Sequence, residues 1–176
     1  MLKQIEEDVT RGIIKSAIDG IAESAYHFNE SHLKSAKWTV VPMESASHFS
    51  TNDCNNIAVA ARASGNRFLY AQLTEPLMNA VECYELDASV WDLTKFSKTC
   101  GHFGYVLAPK GMEFAILCSP SYYFLIGGPR NFVLKAIAEK IAQARRAFLT
   151  FAKNDYWNEK ERKLLWEVNY RYSKYD

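Results

Sequence analysis

No assembled catalytic signature runs through this chain. It contains no Walker loop, GxGxxG, GxSxG, HExxH, helix-turn-helix signature or RNP motif. That removes the enzyme and nucleic-acid classes a sequence reveals most readily. Cysteine is sparse and dispersed: Cys54, Cys83, Cys100 and Cys118 form no CxxC pair. Buried free thiols in a reducing cytoplasm are therefore the expectation. No apolar run approaches the roughly 20 residues that cross a bilayer. The opening Met1-Leu2-Lys3-Gln4-Ile5-Glu6-Glu7-Asp8 is too acidic and polar for a signal peptide. A cytoplasmic protein without membrane association is expected. An excess of one charge is missing too: 21 Lys/Arg against 20 Asp/Glu leave a net of +1. This argues against a general nucleic-acid binder held by phosphate neutralisation. No cofactor is implied, and no residue motif ties the chain to a family.

What is present is core material. Apolar residues make up 48% of 176, enough for a single domain 1–176 that buries roughly 70% of its unfolded surface. Residues 1–129 hold 10 Lys/Arg against 14 Asp/Glu, and residues 130–176 hold 11 against 6. A mildly acidic body thus carries a basic tail. Attraction within the fold or between subunits explains this, as does an anionic partner for the tail.

The most legible stretch is 103–126. Three apolar runs, Phe103–Ala108, Met112–Cys118 and Tyr122–Ile126, are separated by Pro109-Lys110-Gly111 and Ser119-Pro120-Ser121. This pattern predicts a three-strand meander. Gly127-Gly128-Pro129 then leads into a helix whose stripe is Val133, Ile137, Ile141, Ala144, Phe148 and Phe151, with Gly128 as its cap. At the other end, Ile5, Val9, Ile13, Ala17, Ile21, Ala25 and Phe28 predict a helix from Leu2 to Phe28, widened by Ile14 and Ile18. Residues 29–37 read as a connection and Lys37–Met43 as an edge strand stopped by Pro42.

Residues 53–63 are ambiguous. Alanine and a cap at Thr51, Asn52 or Asp53 favour helix. Ser64-Gly65-Asn66 is a hairpin turn and favours strand; the reading leans to strand. Phe68–Leu73 and Val81–Leu86 are further strands, and Ser89–Phe96 is a short helix or ordered loop. The fold class is α+β: an antiparallel sheet of about five strands, flanked by N-terminal and C-terminal helices. Asn154-Asp155 would start a helical, aromatic and basic C-terminal arm, 154–176.

Four constellations carry candidate chemistry. Cys100 and His102 lie two apart and would make a nucleophile–base pair if the loop curls back, but no spacing supplies an orienting group. Gly127, Gly128, Arg130 and Asn131 join a strand to a helix N-terminus, where an anion can sit; Pro129 removes one donor there. The arm's Trp157, Trp166, Tyr170, Tyr172 and Tyr175 suit packing on the body, a second subunit or, with Lys160, Arg162, Lys163, Arg171 and Lys174, nucleic acid. Glu82, Glu85, Asp87 and Glu113 are carboxylates near candidate strands. His27 and His32, five apart, miss the helical spacing of a metal pair, so no metal site is expected.

The reading is a non-enzymatic binding or interaction module for a small ligand or a protein. It is expected to form a homo-oligomer, a dimer. An uncharacterised Cys/His enzyme and a nucleic-acid-associated factor using the basic arm are the alternatives. A pocket lined by Tyr70, Tyr105, Tyr122 or Phe124 with one or two polar groups would favour ligand sensing.

Overall fold

A computed structural model describes residues 3–45, 48–74 and 83–175. Its elements run β1 (Lys3–Gln4), α1 (Asp8–Ile21), α2 (Glu30–Ala36), β2 (Thr39–Glu44), α3 (Thr51–Ala63), β3 (Phe68–Leu73), β4 (Cys83–Asp87), α4 (Val90–Cys100), β5 (Tyr105–Ala108), β6 (Ala115–Cys118), β7 (Tyr123–Gly128), α5 (Arg130–Ile137), α6 (Ile141–Ala152) and α7 (Glu159–Tyr172). The strands form one antiparallel sheet in the order β1-β4-β3-β5-β6-β7-β2. The class is α+β, with seven strands among the described residues rather than about five.

The sheet is covered on both faces, which explains why β5, β6 and β7 read as unbroken apolar runs. Leu69, Ala71, Leu107, Ile116, Phe124 and Ile126 point to one side and pack with Ile57 and Ala61 of α3, Phe96 of α4 and Val133 of α5. Their neighbours Val106, Ala108, Leu117, Tyr123 and Leu125 point to the other side, against Ile14 and Ile18 of α1, Leu33 of α2, Phe148 of α6 and Val168 and Tyr172 of α7. This period of two is the strand alternation itself.

Four expectations need correction. Residues 53–63 are helix. Ser50 accepts a hydrogen bond from the Asp53 N–H at 3.1 Å, and Asp53 accepts the Ser50 N–H at 2.9 Å, a reciprocal cap. Gly65, at φ 81°, ends that helix instead of turning a hairpin. The N-terminal helix is confined to α1, and 29–37 contains α2, capped by Asn29. On α1 the buried stripe is Ile14, Ile18 and Ile21, while Val9 and Ile13 stay 68% and 67% exposed. The helix after Pro129, which itself occupies the cap position, breaks into α5 and α6 at Ala138, a left-handed residue with φ 54°. The last helix starts later than Asn154-Asp155: Asn158 caps α7 reciprocally with Glu161.

Edge strand β2 carries Pro42 and is closed by the C-terminal segment. The Val40 N–H donates to the Tyr175 carbonyl at 3.2 Å. Arg145 on α6 donates to the carbonyls of Val40 (3.0 Å), Tyr172 (3.0 Å) and Tyr175 (2.7 Å), tying three segments together. Edge coverage of this kind blocks pairing with stray strands.

Candidate functional site

The candidate site lies where β2 ends and β7 begins, at the Glu44–Tyr123 pair. Ser119-Pro120-Ser121 turns the chain between β6 and β7, with the Ser121 N–H on Ser119 Oγ at 3.0 Å. Tyr122 follows in the left-handed region, φ 62°. A bulky non-glycine residue rarely adopts that conformation, and it persists only where its surroundings enforce it. Here the Tyr122 carbonyl accepts the Ser45 N–H at 2.8 Å, and its ring centroid lies 4.7 Å from that of Trp157. The indole is fixed in turn: Trp157 Nε1 donates to the Phe151 carbonyl at 2.8 Å, and the two rings meet edge-on at 5.1 Å.

Tyr122, which remains 42% exposed, is the shared wall of two adjoining grooves. One, of about 790 Å³, is lined by Met43, Glu44, Ser45, His48, Ser50, Asp53, Tyr122, Phe151 and Trp157. The other, of about 620 Å³, runs between Pro120-Ser121-Tyr122 and α7, past Lys160, Lys163, Leu164 and Glu167. The first combines Met43 and three aromatic side chains with five polar ones and falls within the size range of small-molecule sites. Of the four tyrosine and phenylalanine positions named from the sequence, Tyr122 is the one that lines it. Tyr105 and Phe124 are fully buried, and Tyr70 lines a separate groove beside Lys3 and Glu85.

The structure does not join Cys100 to His102 in one site. Cys100 is buried at the end of α4 and His102 is exposed. Burial pushes the Cys100 thiol up, away from the thiolate a nucleophile needs. Desolvation likewise pushes Cys83 up to about 11 and Cys118 still higher. All four cysteines are free and buried.

Gly127 and Gly128 are the last residues of β7, where a Cβ on Gly127 would lie 2.9 Å from Phe28 Cε2 and one on Gly128 2.7 Å from Phe114 Cβ. Both glycines therefore serve close packing. Arg130 and Asn131 are exposed, and Asn131 Oδ1 accepts the Phe132 N–H at 2.9 Å.

The tail aromatics divide. Tyr172 and Tyr175 are buried against the chain's own body, Trp157 is half-buried in the groove wall, and Trp166 and Tyr170 are exposed. Several arm cations meet acids of the same chain: Arg171 with Glu23 (2.6 Å), Lys174 with Glu30 (3.4 Å) and Lys163 with Glu167 (3.9 Å). Asp87 pairs with Arg62 and, at 3.7 Å, with Arg67. Glu113 is exposed and Glu82 lies outside the described residues. Among the described residues no group of three His, Cys, Asp or Glu side chains is placed to hold a metal ion, and no helix is long and apolar enough to cross a membrane.

Sequence reasoning missed the groove because its wall comes from separate stretches of the chain, 43–45, 48–53, 122, 151 and 157, with no common spacing. The one local signal was an aromatic residue directly after a Ser-Pro-Ser turn. Comparison with protein-family models, curated proteins and solved structures returns no match for this chain.

Proposed function

We propose that the chain is a non-enzymatic binding module, a single domain acting in the cytoplasm, whose ligand occupies the groove walled by Tyr122 and Trp157. The observation that carries this reading is the left-handed Tyr122. Backbone strain of about 1–3 kcal/mol is retained where it holds an aromatic side chain at the mouth of a groove. A small-fragment library observed by protein NMR tests it. Fragments should shift the Trp157 indole resonance, and Tyr122→Ala, which leaves the sheet and helices intact, should abolish those shifts. Equal shifts in the variant would refute the assignment.

The same proposal includes a homodimer. Its motivation is apolar surface left uncovered on two helices: Val9 and Ile13, one turn apart on α1, and Trp166 and Tyr170, one turn apart on α7. Light scattering should report twice the monomer mass; a strict monomer at tens of micromolar would remove the dimer.

A further inference from the structure

We infer that the ligand of the Tyr122 groove is an organic cation, a quaternary or primary ammonium group on a small apolar body. This rests on the groove being a binding site and goes on to its chemistry. The wall offers aromatic rings: Tyr122, Trp157 and Phe151, with Met43 beside them. Ring faces attract cations through their quadrupole, most strongly for tryptophan and tyrosine. The lining's acidic and basic side chains, His48 apart, carry charge of one sign. Glu44 and Asp53 are the two carboxylates, and no lysine or arginine lines this groove. Glu44 has no ion-pair partner among the described residues, so its charge is not spent within the fold. Asp53 holds the α3 cap through Oδ2, which accepts the Ser50 N–H at 2.9 Å and the Ser50 hydroxyl at 2.6 Å. Those donors are neutral, so Asp53 brings a second carboxylate to the groove lining beside Glu44. The neighbouring groove, by contrast, mixes Lys160 and Lys163 with Glu161 and Glu167 and shows no such bias. An anion entering the first groove would meet two carboxylates and the electron-rich faces of the rings. A neutral ligand would use the rings and leave the Glu44 carboxylate without a role.

Choline and its uncharged isostere 3,3-dimethylbutan-1-ol separate charge from shape. Both are titrated into the full chain at pH 8, with benzoate as the anionic arm. Chemical shifts at Trp157 and Tyr122 are the readout. The inference expects choline to bind at least about threefold more tightly than the alcohol. Glu44→Gln, an exposed and conservative change, should reduce that preference about twofold, toward parity. Benzoate should not compete. Equal affinity for choline and the alcohol at Tyr122 would overturn the cation while leaving the groove as a binding site. Preference for benzoate would do the same. Shifts from none of the three would overturn the cation, and the fragment library with Tyr122→Ala would then decide the groove on its own.

Discussion

Tyr172 is the sharpest test of how the C-terminal helix is held. Its side chain is fully buried, with its ring centroid 6.4 Å from Phe28 and 6.3 Å from Tyr175. Its hydroxyl oxygen accepts the Phe28 N–H at 3.0 Å, a bond between residues 144 positions apart. Burial pushes this hydroxyl well above the usual tyrosine range, so it is neutral at any working pH. Tyr172→Phe keeps the ring and deletes the acceptor, leaving a buried backbone N–H without a partner. Such an orphan costs about 1–3 kcal/mol. For a chain of this size that corresponds to a drop in Tm of about 4–8 °C at the middle of the range. Tyr172→Ala removes the ring as well and should cost about 3–5 kcal/mol from the cavity before the orphaned N–H is counted. Urea unfolding with an unchanged m value would assign the loss to the folded state. Amide exchange at Phe28 should accelerate in Tyr172→Phe specifically. A Tyr172→Phe variant within about 0.5 kcal/mol of the parent, with Phe28 still protected, would refute the docking described here.

Further expectations follow from the same contacts. Arg145→Met strips the donors from three carbonyls at the β2 edge and should cost about 2 kcal/mol in urea unfolding, with faster exchange at Val40; no change would make the clasp incidental. Ser50→Ala removes the α3 cap and should cost about 1 kcal/mol by thermal unfolding, whereas an unchanged Tm would mean that the cap adds nothing. His27 and His32 are held below the ordinary histidine range, both chiefly by burial and His27 also by Arg171. The native state therefore binds fewer protons than the unfolded chain, and stability rises with pH. Their contribution is complete above about pH 6.5 and declines as pH falls below it. The urea midpoint should thus be lower at pH 5.5 than at 7.5, and His27→Gln should flatten the difference. All four thiols should resist a disulfide reagent at neutral pH until denaturant is added; rapid native labelling of Cys100 would reopen the nucleophile reading.

How much of this was legible follows the range of the forces involved. The meander was readable because β5, β6 and β7 are consecutive, buried on both faces and separated by proline- or serine-marked turns. The sheet's outer members were harder. β1 is two residues long, and β2 joins β7 from far along the chain, so neither leaves a local period. Residues 53–63 misled because Gly65 ends a helix with the same left-handed residue that a hairpin turn would use. The reciprocal Ser50–Asp53 cap was the better signal. The split between α5 and α6 falls at Ala138, a residue with no breaking tendency of its own, so no local signal marks it. Val9 and Ile13 belong to the apolar repeat of α1 but miss the core, since a helix on a sheet buries one stripe and this one already presents Ile14, Ile18 and Ile21. The candidate site was the least legible part. Met43, Tyr122, Phe151 and Trp157 meet through the ends of two strands and two helices.

The account stands most directly on where small molecules settle when offered the whole surface. Mapping shifts from a fragment library onto assigned backbone and indole resonances makes that measurement. Perturbations gathered at Glu44, Tyr122, Phe151 and Trp157 are predicted. Perturbations gathered at the Gly127–Asn131 turn, around Cys100 and His102, or nowhere at saturating concentration would contradict it.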